Sequence, residues 1–240
     1  MAPRLLTHAF RETILPMYEF LFPPVCFACG GDMARSMGRI CSDCQQAMTR
    51  PRSEDMDMQI ALGRLRETAR VSDLIVLYRF EKEGPLQHLL HQLKYGGARA
   101  IGEELGRDLG SEILLREGSS RTPVLVPIPL HHAKRRERGY NQAACICRGI
   151  ARVTGWTVRS DAVRRIRYTG TQTKLDIEAR RRNVEDVFEV GRRGKEIVRD
   201  REVFLVDDVL TTGATLGSCA SALLKAGAGG VTACAVGLAD

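Results

Sequence analysis

Asp207 and Asp208 stand side by side at the end of an apolar run, Val203 to Val206, and Thr211, Thr212, Gly213, Ala214 and Thr215 follow them. Four consecutive apolar residues read as a short strand buried on both faces. Ligands of parallel sheets bind beyond the carboxyl ends of strands, so this strand delivers two carboxylates to the ligand edge. The Thr/Gly loop opens into a helix striped by Leu216, Cys219, Ala220, Leu223 and Leu224. Backbone N–H groups, hydroxyls and a helix N-terminus together form an anion site of phosphate size, and Gly213 lets the backbone come close to the ligand. The loop is not a Walker loop, because the G-x4-G-K-[ST] pattern is absent. Carboxylates one step before a phosphate cradle suit a ligand with both hydroxyls and phosphate, such as a ribose phosphate. The plainer alternative is a turn begun by two acids and a helix capped by Thr215. Against it stands the cost of two adjacent acids on a buried strand end without a partner.

A second group of residues has metal-ligand spacing. Cys26-x2-Cys29 and Cys41-x2-Cys44 form two knuckles, with Gly30 and Gly31 supplying the turn of the first. Two such pairs complete a tetrahedron of thiolates that suits Zn²⁺ and leaves no open position, so the site reads as structural. A redox dithiol and an iron–sulfur centre are the alternatives. Cys145, Cys147, Cys219 and Cys234 lie inside apolar helix or strand patterns and read as small buried hydrophobes.

The charge balance points the same way as the acidic pair. The 240 residues carry 36 Lys+Arg and 29 Asp+Glu, for a net charge of +7. Thirty of the 36 basic residues are Arg, which suits forked recognition of oxyanions and equally suits codon bias. Position separates the two readings. Between Arg121 and Arg182 stand 15 basic and 4 acidic residues, against 21 and 25 in the remainder, so a polyanion is the expected partner of that region. Lys94, Arg135, Arg136 and Arg138 are candidate oxyanion-binding cations, while His131 and His132 read as loop residues with phosphate assistance as the alternative.

An apolar fraction of 44% with 27% charged residues fits a folded domain and argues against disorder. No apolar run approaches the ~18 residues that span a bilayer. Residues 1–22 lack the pattern of a secretory signal. Leu6, Phe10, Ile14 and Met17 predict a short amphipathic helix packed on the protein. The thiols are therefore expected to be reduced and the chain cytoplasmic. Residues 51–70 read as a polar connector. Beyond it the pattern predicts strands at 74–80, 124–128, 203–206 and 231–236. Helices are striped by Leu86, Leu89, Leu90 and Leu93, by Ile101, Leu105 and Leu109, and by Tyr140 through Ile150. Such alternation implies an α/β fold, a mostly parallel sheet with helices on both faces.

The segment from Val203 to Thr215 is similar to the phosphoribosyl pyrophosphate (PRPP) loop of type I phosphoribosyltransferases. With the knuckles, Lys94-Tyr95-Gly96, the run from Val126 to Ala143, and Arg167 to Gln172 with Leu175, Arg182 and Asn183, the chain resembles the ComF (competence protein F) family from about Leu21 to Leu238. The resemblance implies a zinc module at 23–50 after the helix at 1–22, then the connector, then a type I phosphoribosyltransferase-like domain at 71–240. It implies that Asp207 and Asp208 take the ribose hydroxyls of PRPP. The residues from Thr211 to Thr215, Gly213 and Ala214 included, hold its 5′-phosphate. Pro127–Gly139 falls at the pyrophosphate loop and Arg167–Leu175 at a mobile catalytic loop. The implied reaction is Mg²⁺-assisted displacement of pyrophosphate from PRPP by an acceptor that the residues do not identify, with Lys94, Arg135, Arg136, Arg138 and Arg167 stabilising the leaving charge. The family name also implies a role in natural transformation, with single-stranded DNA or uptake-machinery proteins as partners and PRPP as a scaffold or sensed ligand.

Overall fold

The computed structural model describes residues 24–33, 38–117, 123–166 and 187–239. The helix expected at 1–22 and the Arg167–Asn183 stretch, Arg167 included, lie outside the described residues. Five strands form one parallel sheet: β1 (Asp73–Arg79), β2 (Val124–Pro127), β3 (Thr157–Val158), β6 (Glu202–Leu210) and β7 (Gly230–Leu238), in the order β1-β7-β6-β2-β3. A two-stranded antiparallel ribbon, β4 (Arg164–Arg165) with β5 (Phe188–Glu189), stands apart from it. β7 is buried along its whole length, as a strand covered on both faces must be.

Side chains of successive strand residues point to opposite faces, and the two faces bury separate clusters. Val203, Leu205, Val231, Ala233 and Val126 face one helix layer, made of α2 (Met56–Thr68), α7 (Arg192–Val198) and α8 (Ala214–Lys225). Phe204, Val206, Cys234, Val236 and Leu125 face the other, made of α3 (Pro85–Tyr95), α4 (Arg99–Glu117) and α6 (Gln142–Thr154). The expected mostly parallel sheet flanked by helices is the architecture observed.

Three local readings change. The connector at 51–70 contains α2, whose Met58, Ala61 and Leu65 are buried at helical spacing. Exposed Met56 and Ile60 blur that stripe in the sequence. The stretch 127–139 contains the short helix α5 (His132–Arg138), which buries no residue and so leaves no hydrophobic period to read. β6 runs on through both acids to Leu210, because β7 is long enough to pair with it as far as Leu238.

α4 and α6 meet backbone to backbone. Gly102, Gly106 and Gly110 repeat every fourth residue on α4, and a Cβ at Gly106 would collide with the Ile146 carbonyl. A Cβ at Gly149 would collide with the Glu103 carbonyl, and one at Gly110 would lie 3.1 Å from Ile150 Cα. Gly149→Ala is therefore expected to lower unfolding free energy by about 2–3 kcal/mol through overpacking, although Ala favours a helix by ~1 kcal/mol. Urea unfolding of the two proteins measures it.

Candidate functional site

The alternation of β6 decides how the two acids are used. Asp207 follows Val203 and Leu205 toward the α8 face, and Asp208 follows Phe204 and Val206 toward the α3 face. On the α3 side, Lys94 Nζ lies 2.9 Å from Asp208 Oδ2, with the two side chains 26% and 15% exposed. On the α8 side, burial pushes the Cys219 thiol up and the Asp207 carboxylate adds to the effect. Burial, then the neighbouring Asp208 charge, raises Asp207 to about 8, with Lys94 opposing the shift. Each carboxylate also orders the strand end: Asp207 Oδ1 accepts from the Asp208 N–H at 2.9 Å, and Asp208 Oδ1 from the Val209 N–H at 2.8 Å. Lys94, taken from the sequence as a cation for the leaving diphosphate, thus already has a carboxylate partner.

The loop after β6 holds exposed Thr211 and Thr212, and Gly213 is the N-cap of α8 with φ of +80°. That left-handed conformation favours glycine. A Cβ at Gly213 would also come within 3.1 Å of Leu65 Cδ2, so the glycine makes room for α2 under the loop. Ala214 and Thr215 occupy the first turn of α8, and neither caps it. The twelve-residue helix carries no acid in its first turn, which leaves the positive end of its dipole uncompensated.

The neighbouring strand β2 leads at the same carboxyl edge into α5, with Arg135, Arg136 and Arg138 in its last turn. Its N-cap is His131, which accepts from the Ala133 N–H at 3.2 Å, so this histidine has a structural use. Gly139, with φ of +73°, ends the helix. Two contacts fasten this segment to the end of α3, and a third ties it to the end of β2. The Tyr140 hydroxyl donates to the Leu93 carbonyl, Arg138 lies 5.2 Å from the Tyr95 ring centroid, and Asn141 Nδ2 donates to the Ile128 carbonyl at 2.8 Å while its Oδ1 caps α6. The sequence does not mark Tyr95, Tyr140 or Asn141 as site residues. An Asn directly before a helical stripe is the one readable signal among them.

The four cysteines converge. Their sulfurs lie within 4.8 Å of one another, and Cys29 Sγ is 3.9 Å from Cys41 Sγ. A tetrahedral site with ~2.3 Å metal–sulfur bonds has sulfur–sulfur edges near 3.8 Å, so the donor set fits a structural zinc. Burial works to raise the Cys26 thiol, but backbone N–H groups around it outweigh that and bring it down to about 6. Those of Ala28 and Cys41 reach its sulfur at 3.4 and 3.3 Å. Burial and the neighbouring sulfurs push the Cys44 thiol up. The knuckles rest on α3 and α4: His88 Nδ1 is 2.9 Å from the Ala28 carbonyl, and the Arg39 N–H reaches Glu104 at 3.2 Å. Helix α1 (Ser42–Ala47) completes the second knuckle, capped by the Cys41 sulfur. The other four cysteines are fully buried, as their apolar settings imply.

The DNA utilization protein YhgH of Salmonella typhi is 30% identical over 217 residues, covering 86% of this chain and 93% of that protein. Competence protein F of Haemophilus influenzae is 28% identical over 204 residues, covering 85% and 80% of the two chains. The chain belongs to the ComF family. Within that family, competence protein ComFC of Bacillus subtilis is 26% identical over 224 residues, or 91% of this chain and 86% of that one. No family model matches the chain. Among solved structures, the glutamine PRPP amidotransferase of B. subtilis aligns with a TM-score of 0.40 at 17% identity. That alignment covers 60% of this ComF-family chain and 30% of the other. Among the described residues, no helix is long and apolar enough to cross a membrane.

Proposed function

We propose that this ComF-family protein binds PRPP, with Mg²⁺, at the carboxyl edge of β6 and transfers its phosphoribosyl group to an acceptor. The carrying observation is the sequence of groups along one edge: a carboxylate on each side of β6, then a hydroxyl-rich loop at a helix N-terminus, with three arginines of α5 following the neighbouring strand β2. In this reading Asp207 and Asp208 take the ribose hydroxyls, and the Thr211–Thr215 loop takes the 5′-phosphate. Arg135, Arg136 and Arg138 face the diphosphate, where charge grows as the C1–O bond breaks and preorganised cations count most. Mg²⁺ suits the hard oxygen donors and, bound with the diphosphate, supplies charge neutralisation there. Lys94 keeps Asp208 oriented until the ribose competes for it. Arg167 is assigned to the same diphosphate by resemblance alone. The division into a zinc module at 23–50 and a transferase-like domain at 71–240, and a cytoplasmic setting that keeps the thiols reduced, belong to the same proposal.

The test is calorimetric titration with Mg²⁺–PRPP. Asp207→Asn with Asp208→Asn is expected to abolish binding; unchanged affinity in the double variant sinks the reading.

A second reading follows from the names of the relatives, DNA utilization and competence proteins. Arg135 and Arg136 are exposed on α5 and suit phosphate contacts of single-stranded DNA. Binding whose logarithm falls linearly with log salt is its signature, and no detectable binding at low salt removes it.

A further inference from the structure

The glycine seam between α4 and α6 ends in two polar residues. Gly102, Gly106 and Gly110 on α4 meet Cys145, Gly149 and Ile150 on α6 in that order, so the two helices run parallel. Asn141, the N-cap of α6, holds the carbonyl of Ile128 just beyond β2, which puts both helix N-termini at the carboxyl edge of the sheet. Residues at i, i+3 and i+7 share one helix face. On α4 that row is Arg99, Gly102 and Gly106, and on α6 it is Gln142, Cys145 and Gly149. Arg99 and Gln142 therefore head the two rows where the seam opens at the edge. The segment leading into Gln142 confirms the approach. The Arg99 guanidinium lies 4.7 Å from the Tyr140 ring centroid, and its Nη2 is 3.9 Å from where a Cβ on Gly139 would stand.

This end of the seam is rich in donors and poor in acceptors. The nineteen-residue α4 and the thirteen-residue α6 carry no acid in their first turns, so the positive ends of two parallel dipoles add. Among the described residues, no carboxylate pairs with Arg99 or Arg138, whose printed partners are tyrosine rings. Gln142 is only 2% exposed, and its amide Nε2 is buried with no hydrogen-bond partner. Nε of Arg138, four residues earlier, is buried and unpartnered as well. A buried donor left unpaired costs its full desolvation. Side chains on a helix lean toward its N-terminus, so Gln142 extends its amide toward the open end of the seam. Donors in this arrangement suit an oxyanion.

We propose that the paired N-termini of α4 and α6 hold one oxyanion, a phosphate or carboxylate group, with Gln142 Nε2 and the Arg99 guanidinium as its side-chain donors and Arg138 at its rim. The site itself does not rest on the PRPP reading above. Only the source of the oxyanion does: the diphosphate of PRPP, or a second molecule.

Inorganic phosphate is the probe, titrated by calorimetry at fixed ionic strength into the full, zinc-loaded chain. Thr211→Ala with Thr212→Ala is the background for these titrations, so that the loop after β6 does not contribute. In that background, Gln142→Met, which keeps the length and unbranched shape of the side chain, is expected to weaken phosphate binding about tenfold, and so is Arg99→Gln. In phosphate-free buffer Gln142→Met should raise the melting temperature by roughly 2–4 °C, because an unpaired buried donor is gone. An amide that only served the fold would lower it. Zinc content and melting temperature show that Arg99→Gln is folded. No phosphate binding in the background chain, undiminished binding in either variant, or a lowered melting temperature in Gln142→Met overturns the proposal.

Titration of Mg²⁺–PRPP into the wild type and into Gln142→Met assigns the source. PRPP weakened about tenfold in the variant assigns the oxyanion to its diphosphate. Unchanged PRPP affinity assigns it to a second molecule, and the site stands in both cases. Phosphate results as expected with no PRPP binding to the wild type remove the PRPP reading and leave the site standing. PRPP binding with phosphate unaffected by both variants does the reverse.

Discussion

Stripping the metal from the four-cysteine module, by chelator or by Cys44→Ser, is expected to lower the melting temperature of the whole chain by roughly 10 °C or more. The reason is where the knuckles are seated. Cys26, Ala28, Ile40, Cys44 and Met48 are buried in the same apolar cluster as the four leucines of α3. Losing the metal therefore loosens a face of the main sheet and not an appended finger. Structural zinc contributes ~10–16 kcal/mol of apparent binding energy in small zinc peptides at neutral pH. About a third of that, spread over a chain of this size at ~2–4 °C per kcal/mol, gives the expected shift. The metal must also displace the proton that burial favours on Cys44, so release should begin as pH falls. Scanning calorimetry with atomic spectroscopy checks both. One zinc per chain and a lowered transition are expected, and an unchanged melting curve after complete removal refutes the assignment.

Asp207→Asn should move binding and stability in opposite directions. The folded protein holds the Asp207 carboxyl near 8, above the ordinary carboxylate range, chiefly because it is buried and then because Asp208 is beside it. With the folded value raised, the unfolded chain gives up the proton first. The fold is then progressively penalised as pH rises from about 4 toward about 8. Asn carries no charge to bury and can still accept the Asp208 N–H that Asp207 Oδ1 accepts now. The variant is expected to gain nothing below pH ~4 and several kcal/mol, at most about 5, above pH ~8. Melting curves at pH 6 and pH 9, without PRPP or Mg²⁺, should show the larger gain at pH 9. An equal gain at both, or a loss, contradicts the account. The wild type accepts this instability at the edge where the proposed ligand brings a compensating cation.

The sheet was legible because its strands are short apolar runs with turn residues between them, and Val203–Val206 and Val231–Val236 contain little else. The cysteine cluster was legible because its information is spacing, which the fold has only to bring together. Three things were hidden for physical reasons. Helix α5 buries nothing, so its existence depends on caps, His131 and Gly139, and not on a stripe. Helix α2 has a narrow stripe diluted by exposed Met56 and Ile60. The pairing of Lys94 with Asp208 joins residues far apart in the chain, and nothing local distinguishes that lysine from a free cation. The alternation that sends Asp207 and Asp208 to opposite faces follows from strand geometry alone. Reading it required knowing that β6 continues through both acids.

The seam between α4 and α6 has a consequence for how such a chain can change over generations. Gly106 and Gly149 touch the backbone of the opposite helix, and every amino-acid replacement one nucleotide away from a glycine codon adds a Cβ or more. No small first step exists at these positions, so the helices can separate only by changes made to both. Sequence drift is thereby steered away from the seam and toward the loops at the carboxyl edge, where new ligands are met.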